Sequence, residues 1–143
     1  MEKELIIRNE ILLNAPPEKV WDALTNPGQT EKYMYNCRVA TDWKVGSKVD
    51  WNYNGVTYVT GSVVSIDAPR KLVYTVFDPL ANYRNVPENY LYITYELIPQ
   101  DGGTLLKVEQ GDYAKVEQGE KRYADAPQGW EPVLVEIKKV VEG

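Results

Sequence analysis

The side chains that most often carry out protein chemistry are scarce in this sequence. It contains no histidine, which removes the commonest general base and the commonest metal ligand. Cys37 is the only cysteine, so the chain offers neither an internal disulfide nor a zinc site built from thiolates and imidazoles. We therefore expect no bound metal, no cofactor and no covalent catalysis.

Catalysis in this chain would have to rely on carboxylates or tyrosine hydroxyls. Asp50 and Glu96 fall on the outward faces of their predicted strands. Asp78, Asp112 and Asp125 lie at predicted strand or helix ends, where acidic side chains commonly serve turns and caps. We assign no catalytic residue, and the sequence favours a protein that is not an enzyme.

Tyrosine is the most abundant aromatic residue, with eleven tyrosines against the single Phe77. A tyrosine ring is apolar, but its hydroxyl usually needs a hydrogen-bond partner when buried. Two interpretations follow. The rings either fill the core and the surface, which composition alone favours, or they line an interior that is roomy enough to hydrate several hydroxyls.

Composition and charge exclude several classes of protein. A chain of 143 residues has the size of one domain, which we predict spans residues 1–143. The net charge of -5 and the scattered basic residues argue against a nucleic-acid partner. The sequence lacks the run of about 20 apolar residues that a membrane span requires, so we expect no membrane partner. The N-terminus lacks the apolar segment of a signal peptide, so a cytoplasmic location is expected.

Two hairpins are predicted from their turn residues. Asn54-Gly55 is typical of a two-residue turn after a strand over 48–53. Such a turn would pair Trp51 with Tyr58 and Val49 with Thr60. Gly61 is predicted to mark a bulge, because the alternation of apolar residues breaks after it.

The second hairpin has two independent signals. Asp101-Gly102 joins predicted strands over 91–100 and 103–110, which pairs Tyr95 with Val108. The same register places Glu96 opposite Lys107, and an opposite-charge pair stabilises adjacent antiparallel strands.

Helices are predicted at both ends of the chain. Pro16-Pro17-Glu18 begins a helix and Asn26-Pro27-Gly28 ends it, with a short second helix from Thr30 to about Met34. A long helix is predicted from about Pro127 to Val141, with Pro132 disturbing its first turn and Asp125 as a candidate cap. Its apolar stripe consists of Trp130, Val133, Leu134, Ile137, Val140 and Val141. A stripe of this length needs a sheet to cover, which indicates an α+β architecture.

Several segments resemble a known family. They are 15–27 (Ala-Pro-Pro-Glu-Lys-Val-Trp-Asp-Ala-Leu-Thr-Asn-Pro), 43–47, 61–63, 67–75, 102–106 and Gly129-Trp130 with Leu134 and Lys138. In this order they are similar to the family named after the activator of heat shock protein 90 ATPase. That family lies in the START and birch-pollen-allergen-like superfamily, also called SRPBCC. The resemblance implies a helix-grip fold, in which a curved antiparallel sheet wraps around a long C-terminal helix.

The resemblance also suggests a function. Such a fold leaves a concave interior, so an apolar or amphipathic small molecule is the expected partner. The residues predicted to line the interior are Trp51, Tyr53, Tyr58, Tyr74, Tyr95, Val108 and Trp130. Two long loops, 79–89 and 111–128, are predicted to form a rim with Tyr83, Arg84, Tyr113, Arg122 and Tyr123. The opposing interpretation is a filled core with solvated loops.

Two other functions stay open at this point. The family name suggests a chaperone-associated protein of the stress response. The eukaryotic activators carry a separate N-terminal domain that makes much of the chaperone contact, and this chain shows none, so we expect shared ancestry without that activity. Some superfamily relatives resemble polyketide cyclases, which suggests a cyclase-like enzyme that uses the same cavity.

Overall fold

The protein is built on one antiparallel sheet whose inner face forms most of the core. The computed structural model describes residues 4–125 and 129–143. The seven strands are β1 (Ile7–Leu13), β2 (Arg38–Ala40), β3 (Lys48–Tyr53), β4 (Val56–Asp67), β5 (Lys71–Val76), β6 (Leu91–Gln100) and β7 (Gly103–Gly111). The helices are α1 (Pro17–Thr25), α2 (Pro27–Thr30), α3 (Gly119–Ala124) and α4 (Glu131–Glu142). In space the strands follow the order β1-β7-β6-β5-β4-β3-β2.

The β6–β7 hairpin has the predicted register. Tyr95 pairs with Val108 and Glu96 pairs with Lys107, and the left-handed backbone of Asp101 and Gly102 makes the turn. Alternate residues of β6 are buried, from Leu91 to Leu97, because a strand turns successive side chains to opposite faces. This hairpin therefore fixes which side chains of the central strands point inward.

The β3–β4 hairpin has the predicted turn but a different register. Asn54 and Gly55 both have positive φ, as a type I′ turn requires. However, Trp51 pairs with Val59 instead of Tyr58, because the register shifts by one residue between Trp51 and Asn52. The predicted Trp51–Tyr58 pair is therefore wrong. Tyr58 is the extra residue of a β-bulge.

The pairs beyond this bulge are displaced in the same way, so Val49 faces Gly61 and not Thr60. Gly61 itself is not the bulged residue that we expected. The second register shift of β4 lies between Val63 and Ser65, where the strand pairs with β5. Glycine at position 61 instead allows the backbone of β5 to lie close to β4, since a methyl group at its Cα would lie 1.7 Å from the carbonyl oxygen of Thr75.

The N-terminal helices are closely joined. Pro17 begins α1 and Asn26 ends it, as predicted. The second helix was predicted at 30–34, but α2 covers Pro27–Thr30. Asn26 explains the difference, because its side chain accepts a hydrogen bond from the backbone N–H of Gly28 and thereby caps a new helix at once.

The C-terminal helix is shorter than predicted. It begins at Glu131, with Trp130 as its N-cap, so Pro132 lies in the first turn, where a proline needs no N–H partner. The predicted start at Pro127 lies outside the described residues. Asp125 does not cap α4 but lies at the C-terminal end of α3. The loop predicted over 111–128 thus contains α3 and a 3₁₀ turn, Tyr113–Lys115.

The long C-terminal helix covers the sheet as the helix-grip fold requires. Its buried face consists of Val133, Leu134, Ile137 and Val141, and α4 packs against β1 and α1. The α+β fold predicted from the sequence is confirmed, with a curved seven-stranded antiparallel sheet and a C-terminal helix. Within the described ranges, no helix has the length and the apolar character needed to cross a membrane.

Candidate functional site

The inner face of the sheet borders a cavity of about 550 Å³. This volume lies within the range of about 300–1,000 Å³ that is usual for small-molecule sites. Strands β3 to β7, the turn after α2 and the start of α4 contribute its wall. The lining residues are Met34, Tyr35, Cys37, Trp51, Tyr53, Tyr58, Val59, Tyr74, Val76, Ile93, Gln110 and Trp130.

Three tyrosines form the mouth of this cavity. Tyr35 is 74% exposed, Tyr53 47% and Tyr58 41%, so each ring meets both the cavity and solvent. Tyr35 is turned outward by left-handed backbone at Tyr35 and Asn36, which is uncommon for residues other than glycine. The bulge in β4 lets Tyr58 and its neighbour Val59 both line the cavity, although successive strand residues normally point to opposite faces.

Three buried aromatic side chains form the deeper wall. Trp51, Tyr74 and Trp130 are each at most 8% exposed. The ring centroids of Trp51 and Tyr74 are 6.2 Å apart, within the usual distance for interacting aromatic pairs. These rings form flat apolar surfaces on the inner wall of the cavity.

Trp130 is held in place by hydrogen bonds at both of its nitrogens. Its backbone N–H donates to Oδ1 of Asn9 at 3.1 Å, and its indole N–H donates to Oε1 of Gln110 at 2.7 Å. Nε2 of Gln110 in turn donates to the hydroxyl of Tyr113 at 2.8 Å. The indole N–H is therefore already used within the protein, and the ring serves as wall.

Five of the seven predicted lining residues border the cavity, and the other two, Tyr95 and Val108, do not. Both of these are fully buried in the packed core. The hydroxyl oxygens of Tyr95 and Tyr74 are 2.7 Å apart, and the ring of Tyr95 meets that of Trp130 edge to face. Tyr95 thus lies one layer behind the wall that Tyr74 and Trp130 form.

The predicted rim residues connect two loops to each other, and none of them lines the cavity. Arg84 forms an ion pair with Glu117 at 2.9 Å, and the guanidinium of Arg122 lies 4.4 Å from the ring centre of Tyr83. A buried Tyr113 packs edge to face against Tyr123. Only Tyr113 is linked to the cavity, through its hydrogen bond with Gln110.

The cavity has an uncharged wall. None of the described residues that line it is acidic or basic. Asp50 accepts a hydrogen bond from Thr60 on the outer face of the sheet, and Glu96 is exposed, as predicted. Burial raises the pKa of the Cys37 thiol, which keeps the only thiol of the chain neutral. The site can therefore offer contact area and a few hydrogen bonds, but no ion pair from its wall.

Seven lining residues were not predicted: Met34, Tyr35, Cys37, Val59, Val76, Ile93 and Gln110. Val76 and Ile93 each lie two positions from a tyrosine that was predicted to face inward. The period of two along a strand was therefore sufficient to find them. The turn over 31–37 gave no comparable signal, because we assigned part of it to a helix.

The sequence was also compared with known proteins. A family model described as Activator of Hsp90 ATPase homolog 1-like protein matches residues 14–142. No curated protein matches the chain.

Many solved structures are similar to this one. A solution structure of a protein from Cytophaga hutchinsonii is 33% identical, with a TM-score of 0.76, and the match covers 99% of this chain and 97% of that one. The Aha1 dimer from Colwellia psychrerythraea is 20% identical, with a TM-score of 0.75 and 96% of each chain covered. An Hsp90 activator from Plasmodium falciparum is also 20% identical over 96% of each chain, with a TM-score of 0.74.

Proposed function

This chain belongs to the Activator of Hsp90 ATPase homolog 1-like family, and on that basis we propose that it binds an apolar or amphipathic small molecule in the aromatic cavity. The observation that carries the proposal is the cavity of about 550 Å³, whose wall is aromatic and aliphatic and which opens between Tyr35, Tyr53 and Tyr58. A cavity with an apolar wall and a few polar groups is typical of small-molecule sites.

The physical argument for a ligand concerns the exposed rings. A ligand in the cavity would remove apolar surface of the three mouth tyrosines from water, which is favourable at about 25 cal/mol per Å². The uncharged wall would leave a charged head group without a partner inside. An amphipathic ligand would therefore place its apolar part inside and its polar part at the mouth.

The proposal is tested with N-phenyl-1-naphthylamine, an uncharged aromatic probe whose fluorescence rises in apolar surroundings. We expect saturable binding to the natural chain and weaker binding to Val59→Trp, in which the larger ring occupies part of the cavity. Val64→Trp is the matched control, since Val64 lies on the same strand and is exposed outside the cavity. Absence of saturable binding, or equal binding to both variants, would contradict the proposal. As an independent measurement, native mass spectrometry of freshly purified protein would detect a ligand that co-purifies.

A chaperone-associated role is the alternative, and the description of the family itself favours it. Stimulation of the ATPase of a cognate Hsp90 by the purified chain would support this role. No change in ATPase rate over a range of concentrations would exclude direct activation. We do not extend the proposal to a cyclase-like reaction, because none of the described lining residues carries a carboxylate, and tyrosine hydroxyls, the other candidate bases, are ordinarily protonated at neutral pH.

A cytoplasmic location belongs to the same proposal. Its support is that the lone Cys37 is a free thiol, as is usual in a reducing compartment. Fractionation of cells that express the untagged chain would test this location.

A further inference from the structure

Two buried tyrosine hydroxyls meet at the back of the cavity. Tyr74 on β5 and Tyr95 on β6 are diagonal neighbours on the inner face, since Leu72 pairs with Tyr95 and Tyr74 pairs with Ile93. Their hydroxyl oxygens are 2.7 Å apart, and both side chains are almost completely buried. The two residues differ in one respect: Tyr74 lines the cavity and Tyr95 does not.

The pair has one more proton than its mutual hydrogen bond can use. Each hydroxyl carries one proton, and a single bond joins the two oxygens. The hydroxyl that accepts this bond keeps its own proton for another partner. If Tyr74 donated, the remaining proton would belong to Tyr95 in the packed core, where the described residues give it no second acceptor. If Tyr95 donates, the remaining proton belongs to Tyr74, on the wall of the cavity.

The cost of an unpaired buried donor favours the second arrangement. Burial raises the pKa of both hydroxyls, so both stay protonated at neutral pH.

Gln110 and the indole N–H of Trp51 are the further polar groups considered on the inner wall, and Gln110 is already engaged. Its Oε1 accepts from Trp130 and its Nε2 donates to Tyr113. Tyr74 has a single partner, and that partner is a donor in the favoured arrangement. Among the described lining residues that are buried, Tyr74 therefore has an available donor, and the indole N–H of Trp51 is a second one.

We propose that Tyr74 is a specificity-determining hydrogen-bond donor of the cavity, and that it selects uncharged aromatic molecules that carry an acceptor oxygen, such as a ketone. The proposal rests on the proposed function, because it assumes that the cavity binds a small molecule. The flat walls of Trp51 and Trp130 fit an aromatic ring system, and the uncharged lining disfavours an ionic ligand. The ketone oxygen accepts a hydrogen bond from the Tyr74 hydroxyl, whose proton the Tyr74–Tyr95 bond leaves unused.

The test compares two rigid molecules of nearly equal shape, 9-fluorenone and fluorene, of which only fluorenone has an acceptor. Each displaces N-phenyl-1-naphthylamine from the natural chain and from Tyr74→Phe, and the quantity of interest is the ratio of the two affinities. We expect Tyr74→Phe to lower the preference for fluorenone about fivefold, the usual contribution of one neutral hydrogen bond. Tyr90→Phe is the matched control, since Tyr90 is a tyrosine off the cavity wall whose hydroxyl donates to Oδ1 of Asn85. Its ratio should equal that of the natural chain.

The outcomes separate this inference from the proposed function. If the probe and fluorene bind but the ratio is the same in Tyr74→Phe and the natural chain, the role of Tyr74 is refuted and the proposed function stands. If none of the three molecules binds, both proposals fail. If Tyr74→Phe does not fold, the infrared carbonyl band of fluorenone bound to the natural chain decides the matter. A band below the frequency in an apolar solvent supports the hydrogen bond, and an unshifted band overturns it.

Discussion

Removing either hydroxyl of the Tyr74–Tyr95 pair tests the direction of their hydrogen bond without any ligand. The oxygens are 2.7 Å apart, and neither ring has appreciable exposure, so a change to phenylalanine keeps the packing and removes one polar atom. Tyr95→Phe removes the donor of the pair, and the hydroxyl proton of Tyr74 is not affected, because it takes no part in the Tyr74–Tyr95 bond. We expect the free energy of unfolding to fall by about 1 kcal/mol, the net value of one hydrogen bond.

Tyr74→Phe should be more damaging, although it also removes one oxygen. It leaves the hydroxyl proton of Tyr95 in the packed core without an acceptor, which costs about 1–3 kcal/mol. The double variant Tyr74→Phe/Tyr95→Phe removes both polar groups together, and such a replacement is close to neutral when the shape is kept. It should therefore be more stable than Tyr74→Phe alone.

Urea denaturation followed by tryptophan fluorescence gives the free energy of unfolding of the natural chain, the two single variants and the double variant. The comparison is valid if the dependence of that free energy on urea concentration has the same slope in all four proteins. Two results would refute the reasoning: a larger loss for Tyr95→Phe than for Tyr74→Phe, or a double variant whose loss equals the sum of the single losses. Either would mean that Tyr74 is the donor, or that the hydroxyls are independent.

Three further predictions concern other parts of the molecule. Gly61→Ala should lower the free energy of unfolding by about 2 kcal/mol or more, because its methyl group would lie 1.7 Å from the carbonyl oxygen of Thr75. Gly28→Ala is the control and should be nearly neutral in the same urea assay, because its methyl group would lie 3.4 Å from Oδ1 of Asn26. Burial raises the pKa of Tyr95 above its ordinary value of 10.0, so the stability that its neutral form provides is present below about pH 10 and lost as pH rises further. The last part of the tyrosinate absorbance, from the buried tyrosines, should then appear together with unfolding, and ionisation of all tyrosines in a chain that remains folded would contradict the burial. Iodoacetamide should modify Cys37 more slowly than a free cysteine, because the thiol is buried with a raised pKa, and more slowly again when N-phenyl-1-naphthylamine is bound. An unchanged rate would place the probe outside the cavity.

Turn chemistry and strand alternation were sufficient to predict the strand register of the second hairpin. Asp101-Gly102 and the Glu96–Lys107 pair agree on one register, and the structure has it. The first hairpin shows where such reasoning fails. Asn54-Gly55 determines the turn, but it does not exclude an extra residue a few positions later, and Tyr58 is such a residue. A bulge changes the register without changing the turn residues.

The cavity was only partly predictable for a related reason. Alternation tells which face of a strand a side chain occupies, but not how far it lies from the open end of the interior. Tyr95 was assigned correctly to the inner face, yet its distance from the mouth places it behind Tyr74. The polar links of the wall, such as Gln110 with Trp130, join residues 20 positions apart and follow only from the packing of α4 on the sheet.

The extra residue in β4 separates the composition of the cavity mouth from the pairing of the sheet. If position 58 were deleted, Asn52 would still pair with Thr57 and Trp51 with Val59, and the ladder would simply become regular. The Asn54-Gly55 turn would be unaffected, and the mouth would lose one aromatic ring. A one-codon insertion or deletion in this hairpin can thus add or remove a ring at the entrance without moving the core. In a lineage with this fold, the cavity mouth could gain or lose the ring of Tyr58 while the rest of the sheet kept its register.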